Sequence, residues 1–360
     1  MGKALRILHL NDRLSDRGGA DWHLRGVLHH LSKRHKVLLA VGRKDSGVTA
    51  DCETRIVANL DSRTDAPIEL HDIVADFQPD IVHVHNVVNP TALHWASQAR
   101  AIMTVQDHRS FCPGQGKMKA DRSLCTEPME KDNCISCFGD EDYFLNIFTL
   151  TSRRLLSVQA MRRVIVLSHY MREELVQVGT APEIIEVIPP FVHGFSITQT
   201  EKKNKHILFV GRLVHTKGIH DAIEAWKRSG IELPLVIAGA GPVRGEINEE
   251  GVEFKGWLSR QDLGELYRNA AMVVLCSRWQ EPFGIVGLEA LSQGTPVVAW
   301  ESGGISEWYP GKPTPWGNVD ALAQSMTKSI GVGGPKAPQF EPEPLMRRLE
   351  DLYAECSEMA

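Results

Sequence analysis

Short, nearly continuous runs of apolar, β-branched residues recur along this 360-residue chain, and longer stretches with helical spacing separate them. The first half offers Ile7–Leu10, Lys36–Val41, Asp80–His85, Ala101–Val105 and Val164–Leu167. The second half offers His206–Val210, Leu235–Ala238, Met272–Leu275 and Pro296–Ala299. A strand flanked by helices on both sides of a parallel sheet has no polar face, so it reads as an unbroken apolar run. Strands alternating with helices build βαβ units with right-handed crossovers. The fold class predicted is therefore α/β, with two Rossmann-like, doubly wound domains, in keeping with ~150 residues per domain. Between the first two strands, Leu24, Val27, Leu28 and Leu31 share one helical face, and this helix starts after Gly18-Gly19.

Punctuation places the boundaries. The first domain spans 1–195 and closes after Val187-Ile188-Pro189-Pro190; the polar, aperiodic segment 196–204 reads as a linker. The second domain spans 205–340. Beyond a crossing segment dense in glycine and proline (331–344), Leu345, Leu349, Leu352 and Tyr353 mark a terminal helix, 341–360. The net charge of −5 argues against nucleic acid as a partner. The N-terminal apolar run is too short for a signal peptide, and no stretch approaches ~18 uninterrupted apolar residues. A cytoplasmic location is expected. In that setting the seven cysteines serve as thiols or metal ligands rather than disulfides.

Three motifs of the second half carry chemistry. Gly211-Arg212-Leu213 leaves a predicted strand, and Lys217-Gly218 follows before a helix containing Ile223 and Trp226. Two cations beside glycines and a helix N-terminus suit a diphosphate. Glu281-Pro282-Phe283-Gly284-Ile285 forms a turn into a helix that also carries Glu289. The turn puts Glu281 at the site and offers the backbone N–H groups of Gly284 and Ile285; Glu289 can accept from ribose hydroxyls. Ser302-Gly303-Gly304 makes a further turn at the carboxyl edge of the sheet. Taken alone, Arg-x4-Lys would read as solvated surface charge, and loss of either cation is expected to leave the melting temperature of the ligand-free protein nearly unchanged.

Together, Gly211-Arg212-Leu213…Lys217-Gly218, Glu281…Glu289 and Gly294–Ala299 with Gly303-Gly304 resemble glycosyltransferase family 4. The resemblance implies the GT-B fold, two domains facing across a cleft, with the terminal helix crossing back to the first. It implies a retaining enzyme that takes a nucleotide-diphosphate sugar of the UDP or GDP type and needs no cofactor for catalysis. Arg212 and Lys217 would hold the diphosphate, Glu289 the ribose and Glu281 the transferred sugar, with Trp257-Leu258 flanking the base. Gly18-Gly19 resembles the family's glycine loop near the phosphates. The family's catalytic histidine is replaced by Gln106; His108, two residues on, keeps the face of an extended strand and is the substitute predicted.

Four cysteines, Cys112, Cys125, Cys134 and Cys137, fall within a polar insertion at about 111–142. Only Cys134-x2-Cys137 has knuckle spacing, so structural zinc competes with unligated thiols, and an iron–sulfur cluster stands behind both. Arg153, Arg154, Arg162 and Arg163 around Leu155, Leu156 and Val158 leave open a peripheral contact with the inner membrane face, although a solvated face is the simpler reading. His83 and His85 share a strand face, and His83 reads as structural. Two other functions fit the architecture: a nucleotide-sugar epimerase, and a donor-binding protein that has lost catalysis.

Overall fold

The computed structural model describes residues 3–195, 204–332 and 340–358. The linker expected at 196–204, apart from Asn204, and residues 333–339 of the crossing segment lie outside them. The chain forms two compact units: 1–120 with 126–193 and 342–360, and 121–125 with 194–341.

The first unit holds a seven-stranded sheet of β1 (Arg6–Leu14), β2 (Lys36–Lys44), β3 (Glu53–Ile56), β4 (Ile81–Val84), β5 (Ile102–Val105), β6 (Arg163–Val166) and β7 (Ile185–Val187). Their order is β3-β2-β1-β4-β5-β6-β7, and every pair is parallel. The second unit holds β8 (His206–Val210), β9 (Leu235–Ala238), β10 (Val252–Gly256), β11 (Ala270–Leu275) and β12 (Val297–Ala299), ordered β10-β9-β8-β11-β12 and again parallel. Both are doubly wound sheets. The three strands with no apolar run in the sequence, β3, β7 and β10, all lie at sheet edges. An edge strand is covered on fewer sides, and β10 alternates half-buried with exposed residues.

Helix Gly19–Leu31 buries Leu24, Val27, Leu28 and Leu31, as its spacing predicts. The terminal helix Pro342–Glu358 shares that core, with Leu345, Leu349, Leu352 and Tyr353 packed against Ile7, Leu39 and Ile81. Each fully buried leucine of this kind contributes about 1.5–3 kcal/mol. The other face of the sheet is covered by an independent cluster that includes Leu8, Leu38, Leu93, Val158 and Leu175.

One face of the basic stretch at 153–163 is turned inward. Leu155 and Val158 are core residues, and Arg154 is buried with Nε donating to the Val88 carbonyl at 2.7 Å. Arg153 pairs with Asp65 at 2.5 Å. Leu155 and Val158 are thus spent on the core, while Leu156 on the same helix is 65% exposed. Among the described residues no helix is long and apolar enough to cross a membrane. Asp140, in the acidic run that precedes this helix, caps it by accepting from the Tyr143 N–H at 2.7 Å.

A polar network runs through the core beneath the terminal helix. His83 Nδ1 meets the Tyr353 hydroxyl at 2.5 Å and its Nε2 meets Thr104 Oγ1 at 2.8 Å. His9, in register beside His83 on β1, shares a hydrogen bond with His85 at 2.9 Å. Burial drives His9 down to about 3 and His23 to about 4, and holds His83 and His85 well below 6.5. All four are neutral in the folded state. Below pH 6.5 the unfolded chain binds protons that the folded chain refuses, so their stabilisation is complete above that pH and is lost as pH falls towards the folded values. Each histidine contributes a slope of about 1.4 kcal/mol per pH unit in that window. Urea unfolding between pH 7.5 and 5 should show this loss, and His23→Leu should reduce the slope by one histidine's share.

Candidate functional site

In a doubly wound sheet the crevice lies at the carboxyl ends of the strands where the order reverses. In the second unit that point falls between β8 and β11. The loop leaving β8 is Gly211–Gly218, and the loop leaving β11 is Cys276–Gly284. The first is pressed onto the second at Gly218, which adopts φ +72° and where a Cβ would lie 1.9 Å from the Cys276 carbonyl oxygen. Only glycine fits there. Gly218 then starts helix Ile219–Ser229 with no side-chain cap.

That closeness brings Lys217 and Glu281 together. Lys217 Nζ donates to Glu281 Oε1 at 2.7 Å and lies 4.3 Å from the centre of the Trp279 ring. The Ser277 hydroxyl donates to the same carboxylate oxygen. Glu281 is only 5% exposed. Burial pushes its carboxyl up, but the Lys217 charge and the hydrogen bonds from Lys217 and Ser277 outweigh this and hold it below the usual range. The Gly304 N–H donates to the Glu281 carbonyl at 2.8 Å, and the Glu281 N–H donates to Ser302 Oγ at 3.2 Å. The Ser302-Gly303-Gly304 turn thus clamps the Glu281 backbone. Arg212, by contrast, is exposed.

Helix Ile285–Ser292 starts at Gly284 (φ +82°) without a side-chain cap, and Phe283 beside it is buried. Its first N–H groups and its dipole therefore favour an anion. Glu289, on the same helix, is 3% exposed; Arg260 reaches one oxygen at 2.5 Å and the Tyr267 hydroxyl the other at 2.8 Å. The sequence reading left this carboxylate open, but each oxygen already has a partner. Arg260 and Tyr267 sit 29 and 22 residues away, and nothing in the chain pattern singles them out. Trp257, just after β10, is 48% exposed, and Leu258 is half-buried.

In the first unit the order reverses between β1 and β4. Gly18 there is extended, and a Cβ would make only an ordinary contact with Asp21, 3.5 Å away. Neither backbone nor packing demands glycine at this position. Helix Gly19–Leu31 has no side-chain cap. Asp21 is held by Arg13 at 3.0 Å. Near the ends of β4 and β5, Asn86 Nδ2 donates to Gln106 Oε1 at 2.9 Å, and Arg109 donates to Asn86 Oδ1 at 3.0 Å and to Asp107 at 2.7 Å. This network was not anticipated; the run Gln106-Asp107-His108-Arg109 was its one visible trace.

His108 is not where strand alternation predicts. β5 stops at Val105, and His108 opens a 3₁₀ turn, His108–Ser110, so the two-residue rule no longer applies. The imidazole is 1% exposed, packs against Phe111 and meets the Tyr170 hydroxyl at 2.9 Å. Gln106 is also buried, but its Nε2 has no partner among the described residues.

Residues 17–193 match the Glycosyltransferase Family 4 model, and residues 195–312 match Glycosyl transferases group 1. The chain belongs to these glycosyltransferase families. It is 35% identical over 178 residues to an uncharacterised glycosyltransferase of Methanocaldococcus jannaschii, covering 42% of this chain and 45% of that one. It is 38% identical over 112 residues to a glycogen synthase of Mycobacterium tuberculosis, covering 28% and 27%. The matched segments thus span less than half the length of these relatives. Among solved structures, sucrose-phosphate synthase of Thermosynechococcus elongatus superposes with a TM-score of 0.73 at 18% identity, covering 99% of this chain and 100% of that one. The Anabaena protein HepE in complex with UDP and glucose gives 0.69 at 18%, covering 98% and 100%. The fold of this glycosyltransferase chain is GT-B.

The buried pair revises the expectation for Lys217. Removing the ammonium leaves Glu281 buried without its cation, so Lys217→Ala should cost about 3–5 kcal/mol of stability. Arg212→Ala, at an exposed position, should stay within about 0.5 kcal/mol. The double change Lys217→Met with Glu281→Gln should recover most of the loss. Urea unfolding of the three variants measures this; equal midpoints for the two single changes would refute the pairing argument.

Proposed function

We propose that this chain transfers a sugar from a nucleoside-diphosphate sugar to an acceptor hydroxyl, with retention at the anomeric carbon. What supports the reading is the second unit's switch point, where the loops after β8 and β11 carry the Lys217–Glu281 pair, lead into two helix N-termini without side-chain caps, and leave Arg212 exposed on the first loop. A diphosphate leaving group fits that set of donors. The bond from the anomeric carbon to the diphosphate oxygen breaks, the acceptor oxygen bonds to the same face of that carbon, and the acceptor proton passes to the departing phosphate. Arg212, Lys217 and the helix-end amides stabilise the charge that builds on the diphosphate. Glu281, kept ionised and fixed by the Lys217 and Ser277 donors, orients the sugar. Glu289, fixed by Arg260 and Tyr267, accepts from the ribose. Trp257 and Leu258 flank the base.

UDP is the donor nucleotide proposed, because HepE is described with UDP, glucose and UDP-glucose. On the first unit, Gln106 rather than His108 meets substrate, since its buried Nε2 is a donor still to be satisfied.

Incubation with UDP- and GDP-sugars and a panel of acceptors should release nucleoside diphosphate only when an acceptor is present, and proton couplings of the product should report the donor's anomeric configuration. An epimerised donor, or binding without turnover across the panel, would overturn the reading. Arg212→Ala should weaken UDP binding roughly tenfold to hundredfold by calorimetry. Gln106→Ala should lower kcat by about tenfold to hundredfold, with His108→Phe acting mainly on stability. The reverse pattern would restore the role to His108.

A further inference from the structure

Among the described residues, two groups of side chains bring three metal-ligating atoms within 4.8 Å of one another: His9 with His83 and His85, and His215 with His220 and Glu246. The cysteines of the insertion are in neither. The first group is a poor host for a cation. It is buried, both nitrogens of His83 are taken by Tyr353 and Thr104, and it holds no carboxylate to offset a metal's charge. The second group is exposed, includes a carboxylate and lies wholly within the second unit.

Well-anchored backbone delivers all three residues. His215 opens the 3₁₀ turn His215–Lys217, between the buried Leu213 and Ile219. His220 is the second residue of helix Ile219–Ser229. Glu246 ends another 3₁₀ turn, Pro242–Glu246, beside the buried Val243 and Ile247. The loops after β8 and β9 that lead to these turns are pressed together: a Cβ at Gly241 would lie 2.3 Å from the Leu213 carbonyl oxygen. The Leu213 N–H donates to the Ala240 carbonyl at 2.9 Å, and the Val243 N–H donates to the Leu213 carbonyl at 3.1 Å. The Thr216 carbonyl accepts from the Arg278 and Trp279 N–H groups at 2.9 and 3.1 Å. None of these ties uses the three side chains, so the group stands on a frame that does not depend on it.

Among the described residues the three side chains engage only one another. His220 Nε2 stands 3.2 Å from one oxygen of Glu246 and His215 Nε2 stands 3.4 Å from the other, and the two rings stack with centroids 5.6 Å apart. Two ring nitrogens aimed at one carboxylate need positive charge between them and it: a proton on each ring, or one cation shared by all three. The distances favour the cation. A charge-assisted N–H···O bond closes to about 2.7–2.9 Å. Two ligands held at about 2.0–2.1 Å by a tetrahedral ion stand about 3.3–3.4 Å apart. Imidazole beside carboxylate suits zinc rather than magnesium or calcium. We infer that His215, His220 and Glu246 bind one exchangeable Zn²⁺, with water in the position that three protein ligands leave open. Side-chain exposures of 41%, 44% and 50% leave the ion in exchange with solvent. Bound there, it cross-links the loops after β8 and β9 and braces the 3₁₀ turn that carries Lys217. The inference is independent of the glycosyl-transfer reading.

The test uses the full chain without an affinity tag, stripped of metal with a chelator and titrated with Zn²⁺ while amide hydrogen exchange is followed. Zinc should slow exchange at 213–220 and 241–247 together, because the ion joins these two segments. His215→Ala and His220→Ala should each raise the zinc concentration that gives half of this protection by at least about tenfold, since losing a ligand costs no less than losing an outer partner. Glu246→Gln, which keeps the shape and removes the charge, should act in the same direction. His71→Ala, at a 94% exposed histidine outside the group, should leave the titration unchanged. Urea unfolding of the metal-free variants reports whether they remain folded; should one not fold, the wild-type exchange map decides alone. Zinc that protects neither segment, or protects only residues elsewhere, overturns the inference. So does protection that survives in both histidine variants, or equal protection by Mg²⁺.

Discussion

A carboxylate that is 5% exposed cannot stay ionised without a cation against it, and in this chain the cation comes from a different loop. The Lys217–Glu281 pair is thereby both a structural joint and a chemical feature. It ties the loop after β8 to the loop after β11, the two segments that flank the reversal of strand order in the second sheet. The glycine at 218 is fixed by the same requirement, since any side chain would drive the two loops apart. With the ammonium spent on Glu281 and the Trp279 face, Lys217 presents a prearranged positive edge rather than a mobile charge.

The first unit solves a similar problem with different groups. At its carboxyl edge the polar side chains are linked in a line from Asp107 through Arg109 and Asn86 to Gln106. The line ends on an amide nitrogen without a partner among the described residues. Beneath it the neutral histidines couple β1 and β4 to β5 and, through Tyr353, to the terminal helix. Tyr353 ties the end of the chain to a strand 270 residues earlier, and the hydrogen bond forms in a fully buried setting where an unpaired group is strongly unfavourable.

The sequence by itself determined the elements that are buried on both sides. β8 and β9 match their apolar runs to the residue, and the helices at 19–31 and 342–358 bury the residues their spacing marks. It also placed Arg212, Lys217, Glu281 and Glu289 in one unit, because glycine turns at strand ends leave a local signature. Edge strands β3, β7 and β10 escaped notice, since partial exposure removes the constraint that makes a strand uniformly apolar. Only the tertiary structure decided which charges are solvated and which are partnered. Arg154 looked like surface and is core; Lys217 looked like surface and is half of a buried pair; Glu289 looked open and is held on both oxygens. His108 lies off the expected strand face for a related reason: the backbone leaves the strand at Val105, and periodicity carries no information beyond the last extended residue. Pairing and burial depend on what long-range packing brings alongside a residue, and a linear pattern records only the residue's own preference.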